Sequence, residues 1–418
     1  MKKKEVIIII DGFSTGEDLV KVISSLVKIE FIHIITPSCS YNLKQKLIDI
    51  HVNKDEFIDE LVYDNNFQCL MEKLSKYDIK NVVCGLEGQG VTLAEEILES
   101  LGMNKNNYTK LQSRRNKHEM NLELKRAGLS TIREKIILKD TSIDQAINEI
   151  GNKYPMVLKP INSGGSDGFH LCISEPEVYN SAEILFNKKN TFGEENTSLL
   201  LQEYLSGKEY CINTVSNGEF RVVTDIWCYD NFFTDDGRRL CYSSTLVDHK
   251  KKQDLIDYTY QCLDALGCYY GACHTELMQQ NDRIVMIESA NRLMGGIPSI
   301  LLRECLSTTQ LDAFCQMIVD PKCLLDLSIG IKKFIKIVNI IHDEKPGNLV
   351  SIEKLDLFKS LKSFRNLKIN VSIGQKIETT SSIHNCIGHV LLTHESLTQL
   401  DLDECYIRQN QSQIFKIV

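Results

Sequence analysis

The chain has 418 residues, of which 43% are hydrophobic and 25% are charged, and its formal net charge is −8. A chain of this length is too long to fold around one ordinary hydrophobic core, so two or three domains are expected. The acidic balance argues against nucleic acid or an anionic membrane surface as a partner.

Strand-like and helix-like segments alternate over the first hundred residues. The apolar runs EVIIII, FIHIIT and NVVCG are each followed by a segment with helical spacing. This alternation predicts a doubly wound parallel sheet, whose ligands bind beyond the strand carboxyl ends. Asp11-Gly12 and residues 85–88 fall at those ends. The turn DGFSTGED lacks the third glycine of a dinucleotide fingerprint, so a nicotinamide site is disfavoured, and Ser14 or Thr15 is the expected cap of the next helix.

The strand MVLKP ends in Lys159 and runs into a loop rich in glycine and serine. Glycine lets backbone N–H groups converge on an anion, and a lysine adds a positive charge. The lysine precedes the glycines, so the loop is not the usual phosphate-binding loop. A simple turn is the competing interpretation. The loop positions of interest are Ser163, Gly164, Gly165, Ser166 and Gly168.

The segment LLLQEYLSGKEYC reads as a strand, a turn and a second strand. An exposed backbone at such a hinge could pair with the edge of an adenine, and Glu209 could accept hydrogen bonds from ribose hydroxyls. Solvated acidic residues are the alternative. The hinge consists of Gln202, Glu203, Tyr204 and Leu205.

The segment GACHTELMQQNDRIVMIESANR predicts a β-hairpin, because QNDR is a turn signal between two strand-like runs. A turn centred on Asp282 places Glu276 opposite Glu288. Like charges facing each other destabilise a sheet by about 0.2–1 kcal/mol, and a bound Mg²⁺ removes this cost. Arg292 follows Glu288 by four residues and shares its face. A solvated hairpin face with a loose Glu–Arg pair is the alternative.

The order and spacing of these segments, from about Lys117 to Gly296, resemble the ATP-grasp superfamily. Within it, the chain is most similar to ATP-dependent carboxylate–amine ligases that join amino acids, the L-amino-acid ligase group. The flanking segments IIIIDGFSTGEDLVK and IGQKIETTSSIHNCIGHVLLTHES are similar to that group as well. The resemblance implies an α/β protein with three parts: an N-terminal doubly wound Rossmann-like domain (1–110), an ATP-grasp domain of two α+β subdomains (111–325, with a lid at about 130–205) and a small, mostly β C-terminal module (326–418).

The resemblance also implies roles for individual residues. Lys117 and Lys159 would hold the ATP phosphates, and residues 163–168 would form the flap over them. Residues 202–205 would be the adenine hinge, and Glu209 would bind ribose. Glu276 and Glu288 would bind Mg²⁺ or Mn²⁺, and Arg292 would lie near the acyl phosphate. Lys159 and Arg292 are the expected catalytic residues. In the family pattern E-x-N-x-R, Ala290 stands where the asparagine is expected, so Asn291 is not expected to bind metal.

The resemblance implies an enzyme that joins a carboxylic acid, expected to be an amino acid, to an amine through an acyl phosphate. A kinase on the same fold and an idle ATP-binding regulatory protein are the alternatives. The expected partners are small acid and amine substrates, and neither nucleic acid nor a membrane is expected as a partner. A homodimer is one option, and the expected location is the cytoplasm. Tyr229, Asp230 and His249 should border the substrate, whereas His274 is expected to be packed or solvated.

Overall fold

The computed structural model describes residues 3–13, 16–44, 54–164, 167–233, 239–380 and 385–418. Ser14, Thr15, Gly165 and Ser166, for which the sequence suggested roles, lie outside these ranges. Within them, no helix combines the length and the apolar character needed to cross a bilayer. The predicted cytoplasmic location stays a prediction. All fifteen cysteines are free.

The N-terminal part is a four-stranded parallel sheet with helices on both faces, as predicted. Its elements are β1 (Lys4–Ile10), α1 (Gly16–Leu26), β2 (Glu30–Ile35), α2 (Pro37–Lys44), β3 (Asp59–Val62), α3 (Phe67–Leu74), β4 (Tyr77–Cys84) and α4 (Gln89–Ser100). The strand order is β3-β2-β1-β4. Alternate residues of β1 enter two different cores, Val6 and Ile8 on one face and Ile7 and Ile9 on the other. Side chains of a strand alternate between faces, so an unbroken apolar run suits this doubly covered strand.

A short 3₁₀ segment (Tyr108–Arg114) and helix α5 (Lys117–Arg126) lead into the lid. Asn116 caps α5 by accepting from the backbone N–H of His118 and Glu119, and Gly128 follows it with φ of 74°. A glycine with positive φ directly after the last turn is a common way for a helix to end. The lid elements are β5 (Glu134–Leu138), α6 (Ile143–Glu149), β6 (Met156–Pro160), β7 (His170–Cys172), α7 (Glu175–Phe186) and β8 (Ser198–Glu203). Its antiparallel sheet has the order β5-β8-β6-β7.

The central sheet has eight antiparallel strands. Before residue 326 the elements are β9 (Lys208–Asn217), β10 (Arg221–Phe233), β11 (Arg239–Val247), α8 (Gln253–Ala265), β12 (Tyr270–Gln280), β13 (Arg283–Ala290), α9 (Ser299–Cys305) and α10 (Gln310–Val319). The later strands of this sheet are β14 (Phe334–Ile340), β16 (Phe364–Ile369) and β18 (Gly388–His394). The order is β13-β12-β9-β10-β11-β14-β18-β16. The C-terminal part thus continues the central sheet, and the domain boundary at 325/326 stays a prediction.

The C-terminal part also contains β15 (Gly347–Ile352), α11 (Asp356–Lys359), β17 (Lys376–Ile377), α12 (Leu397–Ile414) and β19 (Phe415–Ile417). A small sheet has the order β17-β15-β19. Helix α12 has 18 residues and was not expected in a mostly β segment. Its Leu400, Ile407 and Ile414 are buried in a core with Val338 and Val390 of the central sheet. This packing stabilises a helix that has few apolar residues of its own.

Candidate active site

A cleft lies between the lid sheet and the central sheet. Both sheets contribute residues that the sequence singled out: Lys117, Lys159, Ser163, Gly164, Gln202, Glu203, Tyr204, Leu205, Glu276 and Glu288 line the cleft. Tyr229 and Asp230 also line it. Gly168, Glu209 and Arg292 are not among the lining residues, and His249 lies in a 3₁₀ turn away from it.

The two acids of the predicted hairpin face each other. Strands β12 and β13 pair with Glu276 opposite Glu288, as expected. The predicted turn centre at Asp282 is wrong, and the observed register arises from two other features. The turn pairs Gln280 with Arg283, and a bulge then skips Ile287 before the acids meet. Without the bulge Glu276 would face Ile287, so this irregularity brings the two carboxylates together.

Lys117 and Lys159 lie beside these acids in different environments. The Lys117 ammonium is 2.7 Å from Glu288 and 2.5 Å from the carbonyl oxygen of Ser163. Burial lowers the pKa of Lys117, but Glu288, Glu87 and Glu276 together more than offset this, and the pKa is raised. Burial raises the pKa of Glu288, yet Lys117 holds it below its usual value.

The ammonium of Lys159 has no hydrogen-bond or ion-pair partner among the described residues. The residue is 8% exposed. Burial and the neighbouring Lys117 lower its pKa to about 8. A buried lysine without a carboxylate partner is costly for the folded protein unless an anionic ligand compensates its charge. The cleft therefore suits an anion at this position.

The carboxylate pair fits a divalent cation. Among the described residues, the Glu276 carboxylate has one charged group within 4 Å, the ring of His274 at 3.5 Å. Two carboxylates on adjacent strands supply the oxygen ligands that Mg²⁺ prefers, and phosphate oxygens and water complete its shell. Lys117 contacts only Glu288, and within the described part of the chain no lysine or arginine lies within 4 Å of the Glu276 carboxylate, which leaves that carboxylate open to a cation.

A buried polar chain supports Glu276 from behind. Asp225 accepts hydrogen bonds from Thr224 at 2.8 Å, Trp227 at 2.6 Å and the amide of Asn213 at 2.5 Å. The amide oxygen of Asn213 then lies 2.9 Å from Nδ1 of His274. Because Asp225 orients that amide, its oxygen accepts from Nδ1 of His274, and this contact fixes the ring with Nε2 3.5 Å from Glu276. The expectation that His274 is packed agrees with its 7% exposure.

The predicted adenine hinge has its side chains engaged. Gln202 donates to Glu134 at 2.6 Å, and Glu203 pairs with Arg133 at 2.9 Å and with Arg283 at 2.6 Å. Burial would raise the pKa of Glu203, but these two guanidinium groups hold it below its usual value. With the side chains held, the backbone of the hinge is the part open to a ligand.

Two aromatic side chains that sequence reasoning missed, Phe169 and Phe233, lie near the hinge residue Tyr204. The rings of Tyr204 and Phe233 are 5.7 Å apart in an edge-on contact, and Phe169 lies 6.3 Å from Phe233. All three line the cleft. They form an apolar wall suited to a flat ring such as a purine. The three residues lie on three different segments, and no local pattern links them.

Glu209 is buried, and its carboxylate already has partners. Asn231 donates to it at 2.8 Å, and Arg239 forms an ion pair with it. Arg239 itself lines the cleft and lies over the ring of Phe169 at 5.9 Å. The ribose role of Glu209 stays a prediction, and Arg239 is an additional cation that the sequence did not indicate.

Arg292 and Asn291 both reach the N-terminal part. The guanidinium of Arg292 is 2.5 Å from the carboxylate of Glu87, in the loop after β4. Asn291 donates to Glu95 at 3.1 Å and accepts from Cys273 at 2.9 Å, so its amide does not face Glu288. Sequence reasoning placed segment 85–88 at the ligand-binding edge of the sheet but gave Glu87 no role.

Comparisons with known proteins agree with this geometry. Residues 152–300 match the family model of the ATP-grasp domain. Dapdiamide A synthase of Enterobacter agglomerans is 28% identical over 331 residues, which cover 77% of this chain and 75% of that protein. An alanine–anticapsin ligase of Bacillus subtilis is 25% identical over 225 residues, covering 48% of this chain and 46% of that protein. The crystal structure of an L-amino acid ligase from Bacillus licheniformis superposes with a TM-score of 0.72, covering 98% of both chains at 15% identity.

The domain match places an ATP-grasp domain at residues 152–300, and the fold agrees with it. The recognition of an ATP-dependent carboxylate–amine ligase made from the sequence agrees with the synthase and the ligases among its relatives and structural neighbours. The roles of the individual site residues stay predictions.

Proposed function

We propose that the enzyme uses ATP to activate an amino acid at its carboxylate and joins it to an amine, releasing ADP and phosphate. The observation that carries this proposal is the facing pair of Glu276 and Glu288 with two lysines beside it. Lys117 contacts Glu288, and Lys159 lies in the same cleft without a direct ion-pair partner among the described residues. This is a binding site for polyphosphate and a divalent cation.

In the first step, a carboxylate oxygen of the acid attacks the γ-phosphorus of ATP, the bond to the bridging oxygen breaks, and ADP leaves with the electron pair. Lys117 and Lys159 bind the phosphate oxygens and neutralise their charge as the group moves. Glu276 and Glu288 would hold Mg²⁺, which supplies further positive charge to the phosphates when bound. Arg292 orients the reacting carboxylate.

In the second step, the lone pair of the amine attacks the acyl carbon. The carbon–oxygen bond to the phosphoryl group breaks, inorganic phosphate leaves with the electron pair, and the nitrogen loses a proton. Arg292 stabilises the oxyanion that forms. Gly164 and Gly168 belong to the flap that keeps water away from the acyl phosphate. Gly168 has φ of 72°, and a Cβ there would lie 2.7 Å from Pro160, so a side chain would not fit that end of the flap.

The pair formed by Glu87 and Arg292 supports an amino acid as the acid. Their 2.5 Å contact leaves no free charge for a simple carboxylate to bind. An amino acid carries a carboxylate for Arg292 and an ammonium for Glu87, so it replaces one ion pair with two. A simple acid would leave Glu87 unpaired, which is costly at a partly buried site.

The test measures ATP-dependent phosphate release with a panel of amino acids and hydroxylamine, which traps an acyl phosphate as a hydroxamate. We expect hydroxamate and ADP from the wild-type enzyme with at least one acid of the panel. Mass spectrometry with an amine should then detect an amide. A stable phosphorylated product would instead indicate a kinase, and ATP binding without turnover across the panel would indicate a regulatory protein.

A further inference from the structure

A second cavity lies on the other side of the flap, between the N-terminal part and the lid, and has a volume of about 540 Å³. Helix α2, the segment after β3, helix α4 and the lid loop after α7 all contribute walls. This is the edge of the parallel sheet beyond its strand carboxyl ends, where ligands of such sheets bind. None of the residues predicted from the sequence to bind ATP or metal lines it.

The ring of Phe192 separates this cavity from the candidate active site. A Cβ built on Gly164 would lie 3.5 Å from that ring and 3.4 Å from the carboxylate of Glu87. A Cβ on Gly88 would lie 3.4 Å from the same ring. The Phe192 ring therefore lies next to both the flap and the loop that carries Glu87, so it forms a wall between the cavity and the candidate active site.

The charges in the cavity do not balance. Arg115 pairs with Glu194 at 2.6 Å, and its guanidinium lies over the Phe192 ring at 5.6 Å. Glu96 also lines the cavity and has no ion-pair or hydrogen-bond partner in the described part of the chain. Burial raises its pKa. One acid therefore remains uncompensated.

The remaining walls suit an alkyl ammonium group. Tyr41 and Tyr63 both line the cavity, and the Glu96 charge acts on the Tyr63 hydroxyl. An ammonium next to a carboxylate and aromatic rings is favoured both by ion pairing and by cation–π contact. A neutral or anionic ligand would leave Glu96 partly buried and unpaired.

We propose that this cavity is the subsite for the amine substrate, and that it binds a second, charged amino group through Glu96. The substrate class is a diamine or a basic amino acid. Its nucleophilic nitrogen passes Phe192 to reach the acyl phosphate while the other nitrogen remains on Glu96. This inference rests on the proposed ligase function.

The experiment compares L-lysine and 1,4-diaminobutane with L-norleucine and butylamine as acceptors, using any acid that yields a hydroxamate. Hydroxylamine is small and has no second charged group, so it reports acyl phosphate formation independently of the cavity. We expect kcat/KM to be at least about tenfold higher for L-lysine than for L-norleucine, and for 1,4-diaminobutane than for butylamine. The difference should lie in KM. Equal values for the charged and uncharged acceptors of the wild-type enzyme would overturn the proposal.

The variant Glu96→Gln should remove this preference through KM and leave hydroxamate formation within about twofold. Glu99→Gln, on an exposed position of the same helix, is the matched control and should keep the preference. A preference that survives in Glu96→Gln would also overturn the proposal. If the wild-type enzyme formed no hydroxamate at all, the ligase function would be at fault and not the assignment of the cavity. The comparison of acceptors uses only the wild-type enzyme, so its result does not depend on whether the variants fold.

Discussion

The charge of Lys159 should make nucleotide binding depend on pH. Its pKa of about 8 means that about half of the side chains are uncharged at pH 8. Phosphate oxygens stabilise the ammonium, so the pKa rises in the complex, and binding at pH 8 should take up about half a proton. At pH 6.5, where the free side chain is already charged, the uptake should fall to about 0.03 proton.

The same pKa sets the change in affinity. Below pH 8 the free protein is already in the binding form, and above pH 8 it must first acquire a proton. We therefore expect the affinity for ADP to fall about tenfold between pH 7 and pH 9, which corresponds to about 1.4 kcal/mol. The direction follows from a lysine pKa that is lowered in the free protein and restored by the ligand.

Isothermal titration with ADP and Mg²⁺ in buffers of different ionisation enthalpy measures the proton uptake directly. The control is Lys159→Arg, because arginine stays charged throughout this range. The difference between the two proteins removes the contribution of the nucleotide's own protons. Equal uptake in wild type and variant at pH 8 would refute the assignment of Lys159 as the phosphate-binding cation with a lowered pKa.

Three further predictions concern the acids and their supports. Glu276→Gln combined with Glu288→Gln should keep the melting temperature near that of the wild type but abolish ATP turnover; undiminished acid-dependent phosphate release would rule out the metal site. Arg114→Ala removes the ion-pair partner of the buried Glu95 and should lower the free energy of unfolding, measured in urea, by about 3–5 kcal/mol. A loss below about 1 kcal/mol would show that this ion pair is not important for stability. His274→Ala should weaken Mn²⁺ binding about 10–100-fold, as measured by electron paramagnetic resonance, because Glu276 loses its support; unchanged affinity would show that this support is unimportant.

Local pattern in the sequence was sufficient for much of the fold and part of the site. Alternating apolar segments predicted the parallel sheet, and a turn signal between two strand-like runs predicted the hairpin that brings Glu276 opposite Glu288. Both depend on periodicity over a few residues, which a single sequence carries. Helix α12 was not expected because its apolar residues are few, and its stability comes from packing on the central sheet.

Only the tertiary structure decided which charges meet across domains. Arg292 pairs with Glu87, 205 positions earlier, and Asn291 reaches Glu95, 196 positions earlier. Glu209, read as an open acid, is held by Arg239 on a neighbouring part of the sheet. Spacing along the chain sets which side chains share a face of a strand or helix. Contacts between elements depend on how their surfaces pack. For that reason the sequence by itself determined the hairpin and the two acids on it, whereas the structure, through the bulge at Ile287 and the packing around it, decided their register and surroundings.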